Sequence, residues 1–314
     1  MTRLRLFHVT EFEYDGSVSE SYNQVHLQPQ DDEWQNCVTF RLATEPASMP
    51  AFHLDYFGNR VHRFNVMTPH RRLRIEAQSI VVVGDARPPT TGGPALAVLP
   101  KLRQALAEEQ WDFLAPSTYV PADCGVGRLA AEAEAESDGT VLGFLHTTAA
   151  LIKTTFKYAK GATHVHSSIA DVLASQAGVC QDFSHLFLGI ARGRGIPARY
   201  VSGYFVPAPG ELREAEQVSG GLASHAWIEA FVPDTGWVGL DPTHGGEVGR
   251  QHVRVAYGRD YADVAPVRGV HRGSGGQRLS VDVRVRPALD DDGRELLREG
   301  GPTPPPPPRG EAQQ

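Results

Sequence analysis

Hydrophobic and polar side chains alternate through most of the first 88 residues, and this period is typical of β-strands. One such strand places six residues on a common face: Leu4, Leu6, His8, Thr10, Phe12 and Tyr14. Another strand is predicted over 73–83, and residues 56–61 have the pattern of a hairpin with Gly58 and Asn59 at its turn. Short strands separated by turn residues predict an N-terminal β-sandwich-like domain over residues 1–88.

The pattern changes to a helical period beyond this domain. A loop rich in glycine and proline covers residues 87–94. Helical periodicity then follows in three segments: about 96–110, 126–135 and 141–156. We interpret residues 89–164 as a linker and helical segment that leads into a C-terminal core over 165–289.

Cys180 stands at the upstream end of the apolar face of a predicted helix. Phe183, Phe187 and Ile190 lie on its face of the helix, which ends before Pro197. The positive end of the helix dipole favours a thiolate over a thiol, so a nucleophile would be well placed here. The alternative is an inert cysteine that packs as a small hydrophobic residue.

A predicted hairpin carries the next two candidates, His225 and Asp241. Strand 224–232 alternates an apolar face with a second face of mixed chemistry: His225, Trp227, Glu229 and Phe231. Asp241 ends the return strand and shares the face of His225 only if the connecting loop has an odd number of residues or a bulge intervenes. We therefore predict a loop of three or five residues, or a bulge near Gly236 or Gly239.

Composition limits the classes of function. The chain has 314 residues, of which 41% are hydrophobic and 21% charged, as in a soluble globular protein of about two domains. A formal net charge of −7 argues against nucleic acid or an anionic membrane as the main partner. The chain has no apolar run long enough to span a membrane and no secretory signal pattern, so we expect a cytoplasmic location.

Neither disulfides nor metal sites are predicted. The odd, sparse count of three cysteines gives no disulfide framework, and the lack of a C-x-x-C spacing argues against a structural zinc site. His164 and His166 lie two residues apart and are interpreted as part of a polar loop. The segment 290–314 contains three consecutive aspartates and a run of five prolines, and we predict a disordered Pro-rich tail.

Three motifs occur in a fixed order along the chain: GVCQDF at 178–183, HAWIE at 225–229 and GWVGLDPT at 236–243. Together they resemble the transglutaminase-like superfamily in its bacterial branch, and the resemblance extends over about residues 1–285. It implies an α+β protein in which a papain/transglutaminase-like core follows the β domain. In such a core the nucleophile lies at a helix N-terminus that packs on an antiparallel sheet.

The resemblance also implies a catalytic triad. Cys180 would attack an amide or peptide carbonyl and form a thioester, with His225 as general base and acid and Asp241 as the residue that orients it. Water as the second nucleophile makes the enzyme a protease or amidase, whereas an amine makes it a transglutaminase. No cofactor is implied, and the chain lacks a D-x-D-x-D-G loop, so we expect activity without calcium.

Supporting roles can be assigned to neighbouring residues. The backbone N–H of Cys180 and the side chain of Gln176 are candidate donors to an oxyanion. Asp182 is expected to bond to the backbone at the helix start. Trp227 either forms a wall of the cleft or packs in the core.

Two other functions fit the same residues. A catalytically inactive domain could keep the fold to bind a peptide, although it would not need all three triad residues. A different cysteine acyltransferase could use an acyl thioester donor, but the chain lacks the phosphate-binding motif G-x-x-x-x-G-K-[ST]. The sequence predicts neither the substrate nor the oligomeric state.

Overall fold

The computed structural model describes residues 1–84, 90, 92–206 and 224–288. Within these ranges an N-terminal antiparallel sheet is followed by helices and then by a second antiparallel sheet. This mixed arrangement confirms the α+β class. The predicted tail 290–314 and part of the predicted loop 87–94 lie outside the described residues.

The N-terminal sheet is built around one long strand, β1. Its strands are β1 (Thr2–Val25), β2 (Gln35–Glu45), β3 (Ala51–Leu54), β4 (Arg60–Val66), β5 (His70–Val83), β13 (Val267–Arg272) and β14 (Gln277–Pro287). The first part of β1 pairs with β5 and β14, and its second part pairs with β4 and β13. The register shifts between Glu13 and Val18, where the strand bends from one group of partners to the other. The predicted sandwich is therefore a single curled sheet.

The chain returns to this sheet at its C-terminal end. The sequence interpretation assigned residues 267–287 to the core, but β13 and β14 pair with β1 and complete the N-terminal sheet. An alternating pattern predicts a strand but does not indicate the strand with which it pairs. The partner here, β1, lies more than 240 residues upstream. The N-terminal β unit therefore includes residues from both ends of the described chain.

Six α-helices occur in the described ranges, with a 3₁₀ turn at Leu96–Val98. They are α1 (Leu99–Leu114), α2 (Gly127–Glu136), α3 (Val141–Thr155), α4 (Ile169–Ser175), α5 (Cys180–Gly193) and α6 (Tyr261–Val264). The first three agree with the predicted helical segments to within a few residues. Among the described helices, none is both long and apolar enough to cross a membrane.

The second sheet supports the cysteine helix. Its antiparallel strands follow the order β11 (Gly246–Glu247), β10 (Gly236–Asp241), β9 (Ser224–Val232), β8 (Ala198–Phe205) and β12 (His252–Gly258). Two short parallel strands, β6 (Lys157–Tyr158) and β7 (Ala177–Gly178), precede α5. The apolar face of β9 joins the main core together with four residues of α5: Phe183, Leu186, Phe187 and Ile190. The predicted packing of the helix on this face is confirmed.

A buried charge network joins the two sheets through Arg254 on β12. Arg254 Nη2 lies 2.6 Å from Asp32 Oδ2 in the N-terminal unit, and its Nη1 lies 3.0 Å from Glu229 Oε1 on β9. Arg199 Nε also donates to Glu229, at 2.7 Å. Because Glu229 is buried, these two guanidinium groups help to compensate its charge.

Replacing Arg254 by Met is expected to lower the free energy of unfolding by about 3 kcal/mol, because two carboxylates lose a buried partner. Urea unfolding followed by circular dichroism measures this loss. The control is Arg272→Met, which removes an exposed ion pair with Glu20 and should change stability by less than about 0.5 kcal/mol. Equal losses in the two variants would contradict a role of Arg254 in joining the sheets.

Candidate active site

The hairpin of β9 and β10 puts His225 and Asp241 on one face of the second sheet. Gly236 pairs with Val232, so the connecting loop has three residues, as predicted. Continuing this register brings Asp241 opposite Trp227, on the face that carries His225. The turn needs left-handed backbone, which is found at Asp234 (φ 64°) and Gly236 (φ 96°).

The start of α5 is fixed by Asp182. Its Oδ2 accepts the backbone N–H of Val179 at 2.8 Å and the hydroxyl of Thr163 at 2.6 Å. A side chain at Gly178 would bring a Cβ to 2.9 Å from the same oxygen, so glycine allows the carboxylate to approach. The predicted backbone bond of Asp182 is thus present, and it holds the helix end where Cys180 is the first residue.

The structure brings Cys180, His225 and Asp241 together. His225 Nε2 lies 2.7 Å from Asp241 Oδ2, and the side chain of Cys180 lies close enough to His225 to raise the pKa of its imidazole. Because Nε2 is engaged by the carboxylate, Nδ1 is the ring nitrogen left for the sulfur. Asp241 has no exposed surface and His225 is 7% exposed, whereas Cys180 is only partly buried.

The electrostatics of this group favour a charged imidazole. Burial by itself lowers the pKa of His225, but hydrogen bonds to Asp241 and Cys180 outweigh it and raise that pKa to about 9. Burial would raise the pKa of Asp241, yet hydrogen bonds from three imidazoles hold it far below its usual range. At neutral pH His225 is therefore an imidazolium and Asp241 a carboxylate.

Two histidines that the sequence analysis did not single out also bind Asp241. His244 Nδ1 and His252 Nε2 lie 2.6 and 2.9 Å from Oδ2, the oxygen that His225 contacts. The other oxygen, Oδ1, accepts the backbone N–H groups of Thr243 and His244 at 2.8 and 3.3 Å. His244 lies three residues after Asp241, and this short distance along the chain could have indicated it as a partner. His252 lies on β12, and only the fold brings it to the site.

The remaining predicted site residues lie in different surroundings. Gln176 ends α4 in left-handed conformation (φ 51°), and its side chain is exposed. Trp227 is 1% exposed and packs with Val201 and Val248, which favours the core role over a wall of the cleft. Its ring centroid lies 6.1 Å from that of His225, so the buried indole is a neighbour of the imidazole on the same strand.

His164 and His166 lie in the loop before α4. The backbone N–H of His166 donates to His164 Nδ1 at 3.2 Å, which is a local contact within the loop. In the described residues, the group of side chains that could hold a metal ion is instead His225, Asp241, His244 and His252, whose donor atoms lie within 4.8 Å of one another. The hydrogen bonds to Oδ2 account for this arrangement, since each imidazole nitrogen points at the carboxylate.

Comparison with protein families identifies two regions of the chain. Residues 4–82 match the bacterial transglutaminase-like N-terminal region, and residues 128–242 match the transglutaminase-like superfamily core. An uncharacterized protein of Mycobacterium leprae is 33% identical over 91% of this chain and 99% of its own length. The chain belongs to the transglutaminase-like superfamily. An uncharacterized protein of Mycobacterium tuberculosis is 36% identical over 92% of this chain and 94% of its own.

Other relatives of this superfamily member carry functional names. A structure from Cytophaga hutchinsonii, named a "putative cysteine protease", has a TM-score of 0.69 and 21% identity over 92% of each chain, and it confirms the fold. A protein-glutamine gamma-glutamyltransferase of Pseudomonas aeruginosa is 34% identical over 88 residues, which are 27% of this chain and 12% of that protein.

Replacing Asp182 by Ala is expected to lower the free energy of unfolding by about 1–2 kcal/mol, because the start of α5 loses its cap. Thermal and urea unfolding measure the change. The matched control is Asp171→Ala, since Asp171 caps the exposed start of α4 through the N–H of Ser168 at 2.8 Å. A loss at Asp182 no larger than that at Asp171 would contradict the role of the buried cap.

Proposed function

We propose that this protein catalyses cysteine-dependent acyl transfer on amide or peptide substrates through a thioester on Cys180. One observation carries the proposal. A single imidazole, His225, interacts with two groups at once: it forms a hydrogen bond with the Asp241 carboxylate, and the side chain of Cys180, the first residue of α5, raises its pKa. This is the arrangement that cysteine nucleophiles use, with a base beside the sulfur and a third group that orients the base.

The acylation step begins from an imidazolium beside the sulfur. The helix dipole and the His225 cation both stabilise the thiolate of Cys180. The sulfur attacks the carbonyl carbon of the substrate, so that a C–S bond forms and the carbonyl oxygen takes up negative charge. When this intermediate collapses, the C–N bond breaks and His225 gives its Nδ1 proton to the leaving amine.

The developing negative charge on oxygen needs hydrogen-bond donors that are in position before reaction. As the first residue of α5, Cys180 has a backbone N–H with no acceptor inside the helix. We propose this N–H as one donor. The exposed side chain of Gln176, four residues upstream, stays a candidate for the second.

Deacylation uses His225 as a base. After it has protonated the first leaving group, the neutral imidazole accepts a proton from water or from an amine, which attacks the thioester carbonyl. The C–S bond breaks, and the product is a carboxylic acid with water or a new amide with an amine. The Cys180 thiolate and the His225 imidazolium are restored. Asp241 keeps the imidazole in one orientation throughout, and no step requires a cofactor.

The named relatives correspond to the two possible second nucleophiles. The name of the Cytophaga structure implies water, and that of the Pseudomonas protein implies an amine. The relation to the first supports the fold alone, and the relation to the second covers 88 residues. We therefore propose the acyl-transfer chemistry that the two reactions share.

The cysteines themselves provide a first test by alkylation with iodoacetamide. Cys180 is expected to react already at about pH 6, because its thiolate is stabilised by His225. Burial raises the pKa of Cys37 to about 11 and also raises that of Cys124, so both should label slowly at that pH. Peptide mass spectrometry over a pH series measures all three rates in the same sample.

Replacing His225 by Ala should slow the labelling of Cys180 at pH 6, with His166→Ala as the control at an exposed histidine outside the site. Labelling of Cys180 at the rate of Cys124, or labelling that does not depend on His225, would contradict the proposal. The inactive peptide-binding alternative would then be favoured.

The charge of Asp241 provides a second test. Asp241→Asn removes the negative charge that helps to hold the pKa of His225 at about 9, so that pKa should fall towards its ordinary value. The imidazolium is then a weaker partner for the thiolate, and labelling of Cys180 near pH 7 should slow by at least about tenfold. The rate is measured by the same alkylation assay, with thermal unfolding as the check that the variant is folded. An unchanged rate in a folded variant would show that Asp241 does not act through His225.

A further inference from the structure

Asp241 receives an unusual number of hydrogen bonds on one oxygen atom. Its Oδ2 contacts three imidazole nitrogens, from His225, His244 and His252, at 2.7, 2.6 and 2.9 Å. Because an ionised carboxylate only accepts hydrogen bonds, each of these nitrogens must carry a proton. The acceptor capacity of the oxygen is therefore shared between His225 and two histidines that the acyl-transfer mechanism does not use.

His252 is held in one protonation state by its surroundings. Its Nδ1 accepts the backbone N–H of Gly249 at 3.2 Å, so the single proton of a neutral ring resides on Nε2, which faces Asp241. The side chain is 5% exposed and lies edge-on to the rings of Trp227 and Phe205, with centroids 5.1 Å away in both cases. A second proton would have no acceptor at Nδ1, and burial lowers the pKa of this histidine.

His244 differs from His252 in its exposure. Its side chain is 48% exposed and stacks on Phe205 at 4.2 Å between ring centroids. Solvent can therefore replace its hydrogen bond to Asp241, whereas it cannot readily replace the one from His252. Asp241 therefore depends more on the donor from His252 than on the donor from His244.

We propose that His252 is a positioning residue of this site, a donor from Nε2 that fixes the Asp241 carboxylate and limits how strongly this carboxylate holds the proton of His225. The proposal rests on the acyl-transfer function proposed above and adds a fourth residue to it. His252 has no direct contact with the substrate or the sulfur in this role. It acts through Asp241 alone.

The physical reason is competition for one oxygen. Each hydrogen bond to a carboxylate stabilises its charge and weakens its attraction for the other donors. Without His252, Asp241 would bind the His225 imidazolium more strongly, and His225 would release its proton to a leaving amine less readily. In the part of the chain that the structure describes, the titratable groups that face His225 are Cys180 from α5, Asp241 from β10, His244 from the following loop and His252 from β12.

Nitrogen-15 NMR of the full chain with labelled histidine tests the proposal, because the nitrogen shifts report both the tautomer and the protonation of each ring. In the wild-type protein we expect His252 to be neutral at neutral pH, with its proton on Nε2, because burial lowers its pKa. Two variants separate the donor from the ring. His252→Phe keeps an aromatic ring without a donor, and His252→Gln keeps an N–H close to the position of Nε2.

In His252→Phe we expect the pKa of His225 to rise by about one unit, which corresponds to a tenfold stronger hold on its proton. In His252→Gln the wild-type titration should return. His244→Phe, which removes the exposed donor, should shift His225 less. Rescue by Gln distinguishes a lost donor from a general loosening of the fold.

Three results would overturn the proposal: a His252 proton on Nδ1, a second proton on His252 at neutral pH, or the same His225 titration in wild type and in folded His252→Phe. The first two need no variant, so a misfolded His252→Phe leaves the test intact. The iodoacetamide assay on wild type and His225→Ala separates the two proposals. Fast His225-dependent labelling of Cys180 together with any of these three results rejects only the role of His252, whereas slow labelling rejects the acyl-transfer function itself.

Discussion

A fully buried carboxylate is the constraint on which this site depends. Asp241 has no exposed surface. An unpaired carboxylate charge in such a place would cost so much free energy that the group would take up a proton instead. Five N–H donors, three from imidazoles and two from the backbone, compensate it instead. The bond from His225 is one of the five, and it also raises the pKa of that imidazole. The interactions that allow Asp241 to be buried as a carboxylate therefore also set the charge of the catalytic base.

The fold delivers these groups from separate parts of the chain. The three-residue loop between β9 and β10 gives His225 and Asp241 a common face, and Asp182 fixes the start of the helix that presents Cys180. β12 supplies His252 to the site and Arg254 to the network that reaches the N-terminal sheet. The strand next to the site is therefore also the strand that holds the two sheets together.

Much of this arrangement could be predicted from local pattern. The parity of His225 and Asp241 required an odd loop, and the apolar period of α5 indicated which face Cys180 shares with the core. Contacts between distant segments could not be predicted in this way. The pairing of β14 with β1 has no local sequence signal, because an alternating strand can pair with many partners. The bond of His252 to Asp241 has none either, because an isolated histidine occurs in many surroundings. Gln176 shows the same limit, since its distance along the chain from Cys180 does not determine where its side chain points.

The central claim is that Cys180 carries an acyl group as a thioester, formed with the help of His225. The most direct measurement is peptide mass spectrometry after the protein is mixed with p-nitrophenyl acetate and quenched in acid. We expect one acetyl group on Cys180, which forms much more slowly in His225→Ala and is lost from the wild-type protein when water or an added primary amine has time to attack. Acetylation of lysines alone, or acetylation of Cys180 at the same rate with and without His225, would contradict it.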